Sequence, residues 1–122
     1  MLIGAWNYLD HLNKNGLFLK SNPENQTQIK ISGAVETLKS FYNVVCELSK
    51  VNIEVKILDS IKDFSKVKLF IFYNYPDLNN EFVIKAFKTS APKYLLMQEV
   101  ETLLPEMWNT KNHSKFKKIF TW

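Results

Sequence analysis

Arginine is missing from the sequence altogether, so all 16 basic residues are lysine. That removes the planar, two-pronged clamp with which proteins hold phosphate or carboxylate groups. A single cysteine, Cys46, excludes an internal disulfide framework and any multi-cysteine zinc site. It fits a reducing compartment, and the location expected is cytoplasmic, or at most peripheral to a membrane. Glycine is scarce, and Gly4, Gly16 and Gly33 stand too far apart to form a phosphate-cradling loop. Long apolar runs are also lacking. Leu69 to Tyr73 and Tyr94 to Met97 fall well short of the roughly 18 residues needed to span a bilayer. The Met1 start has no basic flank leading into an apolar stretch, so neither a transmembrane segment nor a secretory signal is expected.

What is present suffices for one folded domain. Of the 122 residues, 46% are hydrophobic and 14% aromatic, too apolar for disorder and too few for two domains. The net charge of +4 is spread from Lys14 to Lys118. Its densest group, Lys111, Lys115, Lys117 and Lys118, has helical spacing, which reads as a solvated face and not as a nucleic-acid patch.

Hydrophobic period alternates along the chain between strand and helix, the signature of repeated βα units. Met1 to Tyr8 reads as a first strand, followed by a polar, turn-forming loop from Asn13 to Gln28. Ser32 can cap a helix with the apolar face Val35, Leu38, Phe41, Tyr42, Val45 and Leu48, ending near Lys50. Val51, Ile53, Val55 and Ile57 alternate with polar residues, as in a strand near a sheet edge. Leu69 to Tyr73 has no alternation and reads as a strand covered on both faces. A helix over Asn80 to Thr89, a strand over Tyr94 to Gln98, a short helix near Thr110 to Phe116 and a strand over Lys118 to Trp122 complete the pattern. The fold expected is α/β, a doubly wound parallel sheet of about five strands flanked by helices.

In such sheets ligands gather beyond the carboxyl ends of the strands. Those ends are Trp6 to Tyr8, Asp59, Asn74 to Asp77, Gln98 to Glu101, and Trp122. Glu99 and Glu101 follow the fourth strand directly. A carboxylate backed by Tyr94 to Met97 suits a general base, although the pair also reads as solvated loop glutamates. His11 and His113 share no metal-ligand spacing with other residues, and His113 reads as a structural hydrogen-bonding group. Tyr73, Tyr75, Trp108 and Trp122 can either stack on a ligand or belong to the core.

The stretch Lys93-Tyr-Leu-Leu-Met-Gln-Glu99-Val-Glu101-Thr-Leu-Leu-Pro105-Glu-Met-Trp108-Asn-Thr-Lys-Asn112-His113-Ser-Lys-Phe116-Lys-Lys-Ile119-Phe120-Thr121-Trp122 resembles glycosyltransferase family 10, the α-1,3/1,4-fucosyltransferases. In that family an apolar strand ends in Glu-x-Glu, then come a Pro, a Trp, Asn-His-x-x-Phe, and a strand reading Ile-Phe-Thr-Trp or Tyr. The register runs without a gap over residues 93–122, and Leu17-Phe18, Ile53-Glu54-Val55 and Tyr75-Pro76-Asp77 follow the family's order more loosely. Leu104, Met107 and Lys117 depart from the residues usual at their places.

The resemblance implies one half of a two-Rossmann-domain glycosyltransferase, with residues 1–122 a single Rossmann-like, acceptor-side domain and the donor-binding domain absent. The complete enzyme would transfer L-fucose from GDP-fucose to a hydroxyl of a glycan acceptor with inversion. Glu99 would be the general base, with Glu101, Asn7, Tyr75 and Trp122 on the acceptor side. No cofactor is expected in this segment, and the segment alone should lack turnover. An apolar rim and self-association would follow if a second domain normally covers it. The competing class is a small α/β module that binds carbohydrate or a protein partner, or regulates without catalysis. A phosphoacceptor receiver of that kind would want an aspartate at the end of the third strand, where Asn74 stands, and paired acids after the first, which ends in Asn7.

Overall fold

Residues 1–8, 13 and 35–121 are described by the structure, a computed structural model. The polar loop beyond Asn13, the Ser32 cap, His11 and Trp122 lie outside the described residues. Five strands, β1 (Leu2–Asn7), β2 (Glu54–Ile57), β3 (Val67–Tyr73), β4 (Lys93–Leu96) and β5 (Lys118–Phe120), form one sheet. Every pairing is parallel, and the strand order is β2-β1-β3-β4-β5. The helices are α1 (Val35–Lys50), α2 (Glu81–Phe87), α3 (Pro105–Trp108) and α4 (Thr110–His113). This is the α/β, doubly wound, Rossmann-like architecture expected from the alternating period. Among the described residues, no helix is long and apolar enough to cross a membrane.

The order has a functional consequence. After β2 the chain returns past β1 to build β3, and from there it moves only outward to β4 and β5. The direction of winding therefore reverses between β1 and β3, and a crevice opens at their carboxyl ends.

Several boundaries differ from the periodic reading because local caps intervene. The strand read from Val51 begins at Glu54 because α1 ends there in a Schellman motif. Ile53 N donates to Leu48 O at 3.0 Å and Asn52 N to Ser49 O at 3.2 Å, with Asn52 in the left-handed region at φ 59°. β2 is an edge strand, as its alternation indicated. α2 starts after Asn80, whose side-chain oxygen accepts from Phe82 N at 2.9 Å and Val83 N at 3.3 Å. The single short helix expected near Thr110 is two. Pro105 opens α3, and Asn109 breaks the chain out of helical geometry and caps α4 through Lys111 N at 3.1 Å.

The core lies mainly between the sheet and α2. Phe70 and Phe72 of β3, Leu95 of β4, Val83 of α2 and Met107 of α3 are all fully buried. Phe72, Phe87 and Phe116 meet pairwise with ring centroids 5.3, 5.9 and 5.6 Å apart, joining β3, α2 and the approach to β5. On the opposite face Leu69 and Ile71 are half-buried, and Phe41 of α1 meets the Tyr73 ring edge-on at 6.3 Å. Gly4 permits the close approach of β1 to this core. A Cβ there would lie 2.6 Å from the Phe70 ring and 3.0 Å from Leu58. Lys93, at the head of β4, is a buried cation whose Nζ donates to Thr89 O and lies over the Phe70 and Phe87 rings. Burial pushes its ammonium pKa down.

Candidate functional site

At the carboxyl ends of β1, β3 and β4, which are neighbours in the sheet, a hydrogen-bonded assembly links the three strand exits. β2 stops opposite Ala5, and among the described residues no strand pairs with the last residues of β1 on that side. The Asn13 side chain takes the strand's place, its Oδ1 accepting from Asn7 N at 2.8 Å and its Nδ2 donating to Asn7 O at 2.6 Å. On the other side Tyr8 N donates to Tyr73 O at 3.1 Å. Tyr8 is thereby held at the point where the sheet reverses direction.

Asn74, directly after β3, turns the chain in the left-handed region at φ 58°, which asparagine tolerates better than most residues. Its N–H donates to Leu96 O at 2.8 Å, and its side-chain oxygen accepts from Gln98 N at 2.6 Å and Glu99 N at 3.2 Å. The exit of β4 is thus tied to the exit of β3 by one buried amide, which continues the ladder after the strands themselves have ended. Tyr73 adds a hydroxyl contact to the Gln98 side chain. Trp108 Nε1 donates to Glu99 O at 3.1 Å, so Glu99 has both backbone polar groups engaged.

The Glu99 side chain, half-buried, reaches across to β1. Its Oε1 accepts from the Tyr8 hydroxyl at 2.8 Å, and among the described residues its other oxygen has no hydrogen-bond partner. Burial raises the Tyr8 pKa to about 12, reinforced by the hydrogen bond to Glu99 and by the carboxylate's charge. The phenol is therefore a donor throughout the physiological range.

Tyr8 also forms one wall of a cleft of about 510 Å³ at the same end of the sheet. The other walls include Tyr75, Asp77 and Asn79 after β3, Leu104 and Glu106 around the start of α3, and Asn112 of α4. Two carboxylates, two amides and two phenols thus share the space with the apolar faces of Pro76, Leu78 and Leu104. Such a cleft can hold a polyhydroxylated ligand, with hydroxyls bound by the polar groups and apolar ring faces laid on the side chains between them.

The structure sorts the residues singled out from the sequence. Tyr75 lines the cleft, its ring packed edge-on against Phe116 at 6.0 Å, whereas Glu99 is not among the lining residues and is joined to the cleft through its hydrogen bond to Tyr8. Glu101 is exposed on the turn that follows Glu99 and does not line the cleft. Asn7, expected on the acceptor side, is 1% exposed and serves the end of β1 instead. The physical reason is that β1 is covered on both faces through Asn7, and Tyr8, just past the strand, is the residue that reaches the cleft. Trp122 lies outside the described residues. His113 makes a structural contact, its Nε2 lying 2.8 Å from Met107 O. Among the described residues, no group of three or more His, Cys, Asp or Glu is placed to hold a metal ion. Val100 and Leu103, in the loop that carries Glu99, and Trp108, at the end of α3, are exposed apolar side chains.

The Tyr8–Glu99 contact predicts a pH dependence. A phenol with a folded-state pKa above its unfolded value adds stability that is present in full below about pH 10 and is lost as the pH rises toward about 12. In an ultraviolet titration, the phenolate step that native protein shows and Tyr8→Phe lacks is expected near pH 12. Glu99→Gln should move that step downward, since it removes the carboxylate's charge and leaves burial in place. A step unmoved by Glu99→Gln would show that the pair is not formed.

Comparison with protein-family models, with curated proteins and with solved structures returns no match to this chain.

Proposed function

We propose that residues 1–122 are the acceptor-side domain of an inverting glycosyltransferase of the α-1,3/1,4-fucosyltransferase kind, with Glu99 as the base that receives the acceptor's proton. The observation that carries this reading is the Glu99 carboxylate at the carboxyl rim, with one oxygen fixed by Tyr8 and the other without a partner among the described residues. Its partner Tyr8 forms one wall of a cleft with mixed polar and apolar walls. A base needs a fixed position and a lone pair open to the incoming proton, and this pair of oxygens divides those two tasks.

In the reaction, the acceptor hydroxyl oxygen bonds to the anomeric carbon of fucose while the bond from that carbon to the GDP oxygen breaks. GDP departs with the electron pair, and the acceptor proton passes to Glu99. Tyr8 is a positioning residue, and Tyr75 offers a ring to the acceptor. Donor recognition would fall to a second domain, because this chain has neither arginine nor a glycine-rich phosphate cradle.

Calorimetric titration of the chain tests the division of labour. A panel of glycans should include at least one that binds, with binding weakened by Tyr75→Ala, while GDP and GDP-fucose should give no heat above dilution. Micromolar affinity for GDP would assign the chain to the donor side, and a panel without a single binder would favour a protein-binding or regulatory module.

A further inference from the structure

A second depression adjoins the first. It has about 330 Å³ and is lined by Leu78, Val83, Ile84, Phe87, Lys88 and Lys115. Its walls are carbon apart from the two lysines. Leu78 belongs to both depressions, so the polar cleft and the apolar groove are neighbours across one side chain. The remaining partition is fixed. Lys115 Nζ donates to Tyr75 Oη at 3.2 Å and to Asn112 Oδ1 at 3.0 Å, and both of those residues line the polar cleft. With its ammonium held toward the cleft, Lys115 presents its methylene stem to the groove. On the other side the groove rests on α2, where Val83 is fully buried and Ile84 is 37% exposed.

From this juxtaposition we infer that the site takes an amphiphilic acceptor, a glycan carrying an apolar aglycone, with the sugar in the cleft and the alkyl portion in the groove beyond Leu78. The inference rests on the acceptor reading given above and narrows it. A free oligosaccharide would fill the cleft and leave the groove wet. An apolar chain with no head group would give no partner to the polar side of the cleft, where Asp77, Asn79 and Glu106 stand. A single molecule with both parts satisfies the two surfaces together, and the wall they share sets the point where its character changes.

The test uses the chain itself and paired methyl and octyl β-glycosides of a panel of hexoses, titrated below the micellar range. For any hexose that binds, the octyl glycoside is expected to bind at least about tenfold more tightly than the methyl glycoside, the gain from burying roughly two methylenes. Ile84→Asn, an exposed change on α2, should erase that advantage while leaving the methyl glycoside's affinity unchanged. Equal affinity for the two glycosides would overturn the groove assignment and leave the acceptor reading standing. Absence of binding by either would remove the acceptor reading, and this inference with it. An octyl advantage that octanol reproduces without competing against the methyl glycoside would mean an isolated apolar pocket. A dimer at the working concentration that Ile84→Asn dissolves would make the occupant a second copy of this chain. Either result overturns the proposal.

Discussion

Glu99→Gln, placed in this chain together with a donor-binding domain, is expected to lower the rate of fucosyl transfer by about 10²–10⁴-fold, the range over which a positioned base contributes. The substitution keeps the side chain's length and an oxygen able to accept from Tyr8, so the contact across the rim should survive. What disappears is the capacity to hold the acceptor's proton once its oxygen has attacked. The loss should therefore fall on kcat, with the KM for the glycan little changed, because the ground state does not use that capacity. Melting temperature should change little near neutral pH, where the Tyr8 phenol is protonated in either variant. Tyr8→Phe separates positioning from chemistry. It should lower the rate less than Glu99→Gln does, since a free carboxylate can still accept a proton. Retention of most activity in Glu99→Gln would return this residue to the role of a rim glutamate that orients Tyr8.

Asn74→Ala should have the largest effect on stability outside the apolar core. It puts an ordinary side chain in the left-handed region, at about 1 kcal/mol. It also removes the oxygen that accepts from Gln98 N and Glu99 N. Each orphaned N–H costs about 1–3 kcal/mol where it is cut off from water. A total of about 3–7 kcal/mol is expected, read as a lower midpoint in urea unfolding. Asn74→Gly relieves the backbone cost and keeps the loss of the acceptor, so it should fall between wild type and alanine. The amide nitrogen of Asn74 is buried and has no partner among the described residues, which marks the acceptor oxygen as the reason for an amide here. A change below about 1 kcal/mol in Asn74→Ala would mean that the β4 exit is held by Tyr73 and Trp108 instead.

The sheet was legible because burial on two faces and burial on one leave different traces. Phe70 and Phe72 face α2 while Leu69 and Ile71 face the other way, and a strand apolar on both sides reads as an unbroken run. β2 at the edge retains its alternation of polar and apolar residues. Glu99 could be singled out because the apolar run ends just before it. Tyr8 was within the rim read from the sequence, but Asn7 was preferred; β1 is covered on both faces through Asn7, and an unbroken run does not show at which residue that cover ends. The roles of Asn52 and Asn74 were hidden for another reason. Asparagine suits loops, caps and strand ends alike, and only the surrounding backbone reveals which carbonyl or N–H it will serve. The Asn13 contact with Asn7 likewise depends on where β2 stops, a long-range event that local pattern does not record.

The two outer strands bear on how copies of this chain meet. β2 has four residues and carries the ion pair of Lys56 with Glu54 at 3.0 Å, while β5 has three residues, of which Lys118 and Phe120 are exposed. Strands so short, with charge on them, are poor templates for adding a neighbouring molecule's strand. Growth of the sheet from one molecule into the next is disfavoured at both sides. Contact between molecules is left to side-chain surfaces such as the exposed Val100, Leu103 and Trp108, which offer no strand register of the kind that leads to fibres.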